Sequence, residues 1–259
     1  MKILAIATQK GGVGKTTSSL EISMALALEH DKRVLLIDID QQCNMSKNLN
    51  QTNPKKTIYD VLHDPKSVKD AIIQFEDIDF IPGSPALSKA DIEFNKPDDL
   101  FLLDDAFDTL QEDYDFIILD CGPQRNKIYE LVCVVADYVV APCDNTEFGS
   151  DGLISVFDDI EKLKKAKIPL SRAVVIGAII TKFKAKTKVD RAAKDILENV
   201  MKQINPKGFV MVASDCVVAS EAKYARQSMQ QYAPYSTVSL DYKAITKAIL
   251  DYIKNEEVA

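Results

Sequence analysis

The chain has 259 residues, 46% hydrophobic and 27% charged, with 39 acidic against 32 basic side chains and a net charge of −7. That balance belongs to a globular protein with one large core. It excludes a surface coated in positive charge, so any polyanion must bind at a local patch. No apolar run reaches the roughly 18 residues that a membrane helix requires. The apolar start, Met1 to Ala7, is too short for a secretion signal and runs into Thr8-Gln9-Lys10 rather than a cleavage site. Cys43, Cys121, Cys133, Cys143 and Cys216 are odd in number and form no CxxC pair, which fits buried, reduced thiols of a cytoplasmic chain.

In chain order, apolar runs of strand length recur at Ile3–Thr8, Val34–Asp38, Ile78–Pro82, Phe116–Asp120, Tyr138–Pro142, Ala173–Thr181 and Phe209–Val212. Several are Ile/Val-rich on both alternations, as strands covered on both faces must be. Between or after them, apolar residues return every three or four positions at Thr17–Glu29, Asn126–Ala136, Asp151–Ala166, Lys188–Ile204 and about Ser239–Lys254, the period of helices. Strand then helix, repeated, predicts an α/β doubly wound, mostly parallel sheet with helices on both faces, formed by residues 1–259 as one domain. Residues 44–58 and 83–100 are expected to be surface connections or excursions. From Pro97 to Asp120 there are nine carboxylates and no Lys or Arg, which reads as a solvated helix face.

Between the first strand and the first helix stands Gln9-Lys10-Gly11-Gly12-Val13-Gly14-Lys15-Thr16-Thr17. The glycines let backbone N–H groups turn toward an anion, the helix N-terminus adds partial positive charge, and Lys15 reaches terminal phosphates. Thr16 is then placed to ligate Mg²⁺. The segment is a nucleotide site, with residues 11–17, including Val13, Gly14 and Thr17, as the cradle. Phe116-Ile117-Ile118-Leu119-Asp120, four apolar residues and then a carboxylate, has the Walker B form, whose acid holds Mg²⁺ through water. Asp38 and Asp40, two apart at another strand end, point the same way from the sheet.

The string KGGVGKTT resembles the deviant Walker A loop of the ParA/MinD group of P-loop ATPases, although Gln9 stands where the general pattern has its first glycine. The resemblance continues along the chain. Asp38-Ile39-Asp40-Gln41-Gln42-Cys43-Asn44 is similar to the family's DxDPQGN, and Cys121-Gly122-Pro123 to its DxPP turn, with Gly122 replacing the first proline. Val140 to Cys143, then Glu147, Gly149 and Gly152-Leu153, are similar to a strand, loop and helix of that family. The resemblance implies ATP and Mg²⁺ as cofactors and a homodimer sandwiching two nucleotides, in which Lys10 reaches the partner's phosphates. It further implies that Asp40 positions or deprotonates the attacking water, that Asp38 supports the Mg²⁺ and Lys15 surroundings, and that Thr181 occupies the place of an adenine contact.

Within that group, the acidic end Lys254-Asn255-Glu256-Glu257 does not suit an anionic bilayer, so no membrane is expected. The cysteines do not suit a metal cluster, and the tail lacks the tyrosines of the kinase relatives. Ser220-Glu221-Ala222 and Tyr232-Ala233-Pro234-Tyr235-Ser236 are similar to the SEA and YDPxS segments of the partition ATPases. That resemblance implies nonspecific DNA binding in the ATP state, a ParB-like or other stimulating protein, segregation of a plasmid or chromosome, and association with the nucleoid. The family's arginines near those segments are absent here. Their replacement is sought in Lys182, Lys184, Lys186, Lys188, Arg191 and Lys194, faced only by Asp190 across thirteen residues, with Lys223 and Arg226 as secondary candidates. A solvated basic face, an ATP-gated switch for a protein cargo and a membrane site selector remain the alternatives.

Overall fold

The computed structural model of the chain describes residues 1–146 and 149–258, so Glu147, one of the residues compared with the family, lies outside the described residues. The strands are β1 (Lys2–Ile6), β2 (Val34–Asp38), β3 (Ile73–Phe75), β4 (Ile78–Ile81), β5 (Phe116–Asp120), β6 (Tyr138–Cys143), β7 (Val174–Phe183) and β8 (Phe209–Ser214). They form one sheet in the order β3-β4-β2-β5-β1-β6-β7-β8, parallel throughout except for the antiparallel β3–β4 pair. The helices are α1 (Lys15–His30), α2 (Asn44–Asn48), α3 (Ile58–His63), α4 (Ala90–Glu93), α5 (Leu102–Asp108), α6 (Lys127–Val135), α7 (Gly149–Lys164), α8 (Lys188–Ile204), α9 (Val218–Ala225), α10 (Met229–Tyr232) and α11 (Thr237–Val258). The expected doubly wound α/β architecture is therefore present.

Alternation along the strands divides the core into two layers. Ile3, Ala5, Leu35, Ile37, Ile117, Leu119, Val139 and Ala141 pack on one face with residues of α3, α5, α6 and α7. Leu4, Ile6, Val34, Leu36, Ile118 and Val140 pack on the other with α1 and α11. Helix α1 is enclosed between sheet and α11, which explains why its polar Ser18 is fully buried: its hydroxyl meets the Tyr242 hydroxyl at 3.0 Å. Cys43, Cys121, Cys133 and Cys143 are buried and unpaired, and Cys216 is half-buried. Burial pushes the Cys133 thiol up to about 12.

The structure differs from the sequence pattern at the short elements. Segments 44–58 and 83–100 are not simple surface connections: they carry α2, the start of α3, α4 and two 3-10 turns at Pro85–Lys89 and Pro97–Phe101, and bury Met45, Leu49, Ile58 and Leu87. Strand β3 has three residues, too few to show a period, and owes its pairing to the two-residue turn Glu76–Asp77. The acidic run does face water at Asp105 and Asp108 of α5, while Asp120 at its end is buried. Among the described residues no helix is long and apolar enough to cross a membrane. The last turns of α11 are instead pinned by Lys2–Glu257 and Lys207–Glu256 ion pairs at 2.8 and 2.7 Å.

Candidate nucleotide site

Parallel strands place all their C-terminal ends on one edge, and ligands of such sheets bind there. The loop from Ala7 to Gly14 leaves β1 on that edge and turns into α1 through Gly12 at φ 76° and Gly14 at φ 83°. Only glycine enters that left-handed region without a steric cost. Gly14 is the N-cap, no side chain caps the helix, and its first turn holds no acid, so the opening amides of α1 are left for an anion. Thr181, at the end of β7, braces the loop from below: its hydroxyl donates to the Val13 carbonyl at 2.9 Å, and its side chain would lie 3.1 Å from a Cβ at Gly14. Lys15 is 7% exposed and donates to the Lys10 carbonyl at 2.8 Å. Burial lowers its pKa, against the opposing charges of Asp120 and Asp40.

Beside the loop, Asp38 and Asp120 are direct partners in the β2–β5 ladder, and Asp120 also pairs with Ile6 of β1. Both carboxyls are buried, so desolvation raises both pKa values first, with the charge of Asp40 adding to it at Asp38 and that of Asp38 at Asp120. The two are then used differently. Asp38 accepts from the Ser46 amide at 2.8 Å and its hydroxyl at 2.6 Å, and from the Asp40 amide at 3.3 Å, fixing α2 to the strand end. Asp120 accepts from the Ser19 hydroxyl at 2.9 Å through Oδ1, lies within hydrogen-bonding reach of the Thr16 hydroxyl, and leaves its buried Oδ2 without a partner. A buried, unpartnered carboxylate oxygen beside a threonine hydroxyl is the donor set that Mg²⁺ prefers, and a divalent cation would reverse the local upward pressure on the carboxyl. Asp40, 5% exposed, accepts from the Gln42 amide at 2.9 Å and stands at the mouth of the same edge.

Lys10 is turned within its own chain. Its ammonium lies 2.9 and 2.8 Å from the two Asp144 oxygens and 2.7 Å from the Thr146 hydroxyl. Burial pushes the Asp144 carboxyl up, but hydrogen bonds from Lys10 and Thr146 outweigh this and hold it below the ordinary carboxylate range. The next residue, Asn145, donates to Asp190 at 2.7 Å, joining the same short segment to the start of α8. Gln9 donates to Asp159 at 2.6 Å, and Asp159 also receives Arg125 at 2.8 Å.

The basic run borders this edge rather than lying remote from it. Lys182 follows Thr181 directly, and Lys186, Lys188 and Arg191 are exposed around the N-terminus of α8. Two members are already paired, Lys184 with Asp215 at 3.2 Å and Lys194 with Glu198 at 3.6 Å. Lys223 and Arg226 line a separate cleft with Thr16, Thr17 and Glu21, next to Tyr224, which is 94% exposed. Ser19, Ser46, Asp144 and Asp159 escaped the sequence reading. Asp144 had a signal, being a carboxylate directly after an apolar strand, as Asp38 and Asp120 end theirs; the others touch the site only through the tertiary fold.

A family model described as an AAA domain matches residues 1–172. The chain is 31% identical over 254 residues to the sporulation initiation inhibitor protein Soj of Bacillus subtilis, covering 96% of this chain and 98% of Soj. It is 33% identical over 204 residues to the chromosome partitioning protein ParA of Caulobacter vibrioides, covering 76% of this chain and 75% of that one. Among solved structures, a Cyanothece McdA–ATP complex matches with a TM-score of 0.83 at 22% identity, over 96% of both chains.

Proposed function

Because the chain belongs to the ParA/MinD-type P-loop ATPases, we propose that it is a partition-type ATPase that dimerises on ATP, binds DNA without sequence preference in that state, and hydrolyses ATP when a ParB-like or other partner stimulates it. The observation that carries the ATPase part is the unpartnered Oδ2 of Asp120 beside Thr16 at the mouth of an uncapped glycine loop. Phosphates are held by the opening amides of α1 and by Lys15. Thr16 and Asp120 are the residues to hold Mg²⁺, which when bound would neutralise phosphate charge. Ser19 orients Asp120 by its 2.9 Å hydrogen bond. Asp40 orients the attacking water, and Asp38, through Ser46, keeps the Asp40 strand end in place. Thr181 fixes the loop against β7 and is the residue that would contact the adenine.

In the dimer Lys10 leaves Asp144 and supplies positive charge to the partner's phosphates, where charge develops in the transition state. The basic run Lys182, Lys184, Lys186, Lys188, Arg191 and Lys194 supplies the phosphate contacts to DNA, with Lys223 and Arg226 as a second patch. Its place beside Thr181 and Asn145 supports a coupling between nucleotide state and DNA affinity. The cargo is a plasmid or chromosome, and the protein is nucleoid-associated through that DNA. The test compares Lys15→Ala and Lys10→Ala with the parent for ATP binding, dimerisation and phosphate release. Lys15→Ala should lose binding or turnover; Lys10→Ala should keep binding and lose the dimer and most turnover. Parental turnover by Lys10→Ala would remove the trans role.

A further inference from the structure

The turn after β5 reads Asp120-Cys121-Gly122-Pro123-Gln124. Glycine at 122 is not required by backbone conformation, because the positive-φ glycines of the described residues are Gly12 and Gly14. Space requires it. A Cβ at 122 would stand 2.8 Å from Asp40 Oδ1 and 2.9 Å from Gln124 Oε1, closer than real carbon atoms approach such neighbours. The carboxylate of Asp40 and the carboxamide of Gln124 therefore both press close to the Gly122 Cα, and any side chain at 122 would displace them.

The turn is held at both ends. Asp120 belongs to β5, and Asn126 caps α6 by accepting from the Tyr129 amide at 3.0 Å. Pro123 stiffens the middle, so Gln124 is delivered by a short, constrained loop. Its side chain is half-buried and lines a small crevice with Gln41 and Gly122, next to the Asp40 loop.

We infer that Gln124 is a second water-orienting group, acting with Asp40 on the attacking water, and that Gly122 is what lets the two meet. The inference rests on the ATPase reading above. A carboxylate only accepts, whereas a carboxamide both donates and accepts. One water held between them gives one hydrogen to Asp40 and one to the Gln124 oxygen, and keeps a lone pair for in-line attack. The water oxygen bonds to the γ-phosphorus, the bond from phosphorus to the β–γ bridging oxygen breaks, its electron pair leaves on ADP, and the water proton ends on the released phosphate. A glutamine orienting water is a recurring part of nucleoside triphosphatases, supplied here by a turn in which glycine replaces a bulkier residue.

The test uses the full chain with Mg²⁺ and ATP, comparing the parent with Gln124→Ala, Gly122→Ala and Asp40→Ala for turnover, KM, affinity for a fluorescent ATP analogue, thermal unfolding and trapping of ADP with aluminium fluoride. Gln124→Ala should lower kcat by about 10–100-fold, leave KM, ATP affinity and the unfolding midpoint within about twofold or a degree, and lose the fluoride-trapped state. Gly122→Ala should lower kcat and lose the trapped state in the same way by displacing both side chains, with a lower unfolding midpoint from the clash at Asp40. Parental kcat and trapping in Gln124→Ala, with Asp40→Ala inactive, would overturn the inference and leave the ATPase reading standing. A parent that neither binds nor hydrolyses ATP would remove the ATPase reading, and the inference with it.

Discussion

Replacing Asp144 by Asn weakens the hold on Lys10 without changing the shape of the segment. In the structure the Lys10 ammonium is shared between both Asp144 oxygens and Thr146, with side-chain exposures of 36% and 26% for the lysine and the aspartate. Such half-exposed pairs are discounted for solvent screening, and about 0.5–1 kcal/mol each is appropriate. In the proposed dimer each protomer releases its own Lys10 before that lysine serves the partner, so two holds would break per dimer at a combined cost of about 1–2 kcal/mol. Removing it should tighten ATP-dependent dimerisation by about 5–30-fold, at roughly tenfold per 1.4 kcal/mol. Sedimentation equilibrium with Mg²⁺ and a non-hydrolysable ATP analogue reads this directly. An unchanged or weaker dimer in Asp144→Asn would refute the reasoning, because Lys10 would then be at rest where it is needed.

Three further outcomes follow from named contacts. Burial pushes the Glu21 carboxyl up to about 8 from an ordinary value of 4.5, opposed by the Met229 and Gln230 amides that it accepts at 2.7 and 3.2 Å. Between those pH values the folded state binds the extra proton, so stability should fall as pH rises, by about 1.4 kcal/mol per pH unit from this group. Urea unfolding at several pH values should show a shallower slope for Glu21→Gln, and an identical slope would exclude Glu21 as its source. Gly14→Ala places a Cβ at φ 83° and 3.1 Å from the Thr181 methyl; it should cost about 1–2 kcal/mol in backbone strain and weaken ATP binding, and calorimetry showing neither change would contradict the loop geometry. Lys182→Glu with Lys186→Glu should weaken ATP-state binding to duplex DNA and reduce its salt slope by about 2; unchanged salt dependence would move the DNA surface away from this run.

What the sequence made legible was what repeats or what is local. Helix α8 is bounded as its apolar spacing indicates, because Thr187 caps it by accepting from the Asp190 amide. Lys15, Thr16, Asp38 and Asp120 converge because strand ends and a helix start share one edge of a parallel sheet, a rule readable from strand–helix order. The short pieces were not legible: α10, with four residues, exists because Ser228 caps it and because Glu21 and Glu76, from α1 and the β3–β4 turn, accept from its first amides and its cap. No local pattern announces a contact between residues 152 or 208 positions apart. The hold of Asp144 on Lys10, 134 residues away, is of the same kind. So is the meeting of Gln124 with Asp40, which was half visible as an unexplained glycine.

The proposed function turns on a nucleotide-gated grip on DNA, which fluorescence anisotropy of a labelled random-sequence duplex at low salt reads, with protein, Mg²⁺ and either ATP, ADP or no nucleotide. Binding with ATP should be at least about tenfold tighter than in the other two states. Equal binding in all three, or none in any while ATP-dependent dimers still form, would contradict it.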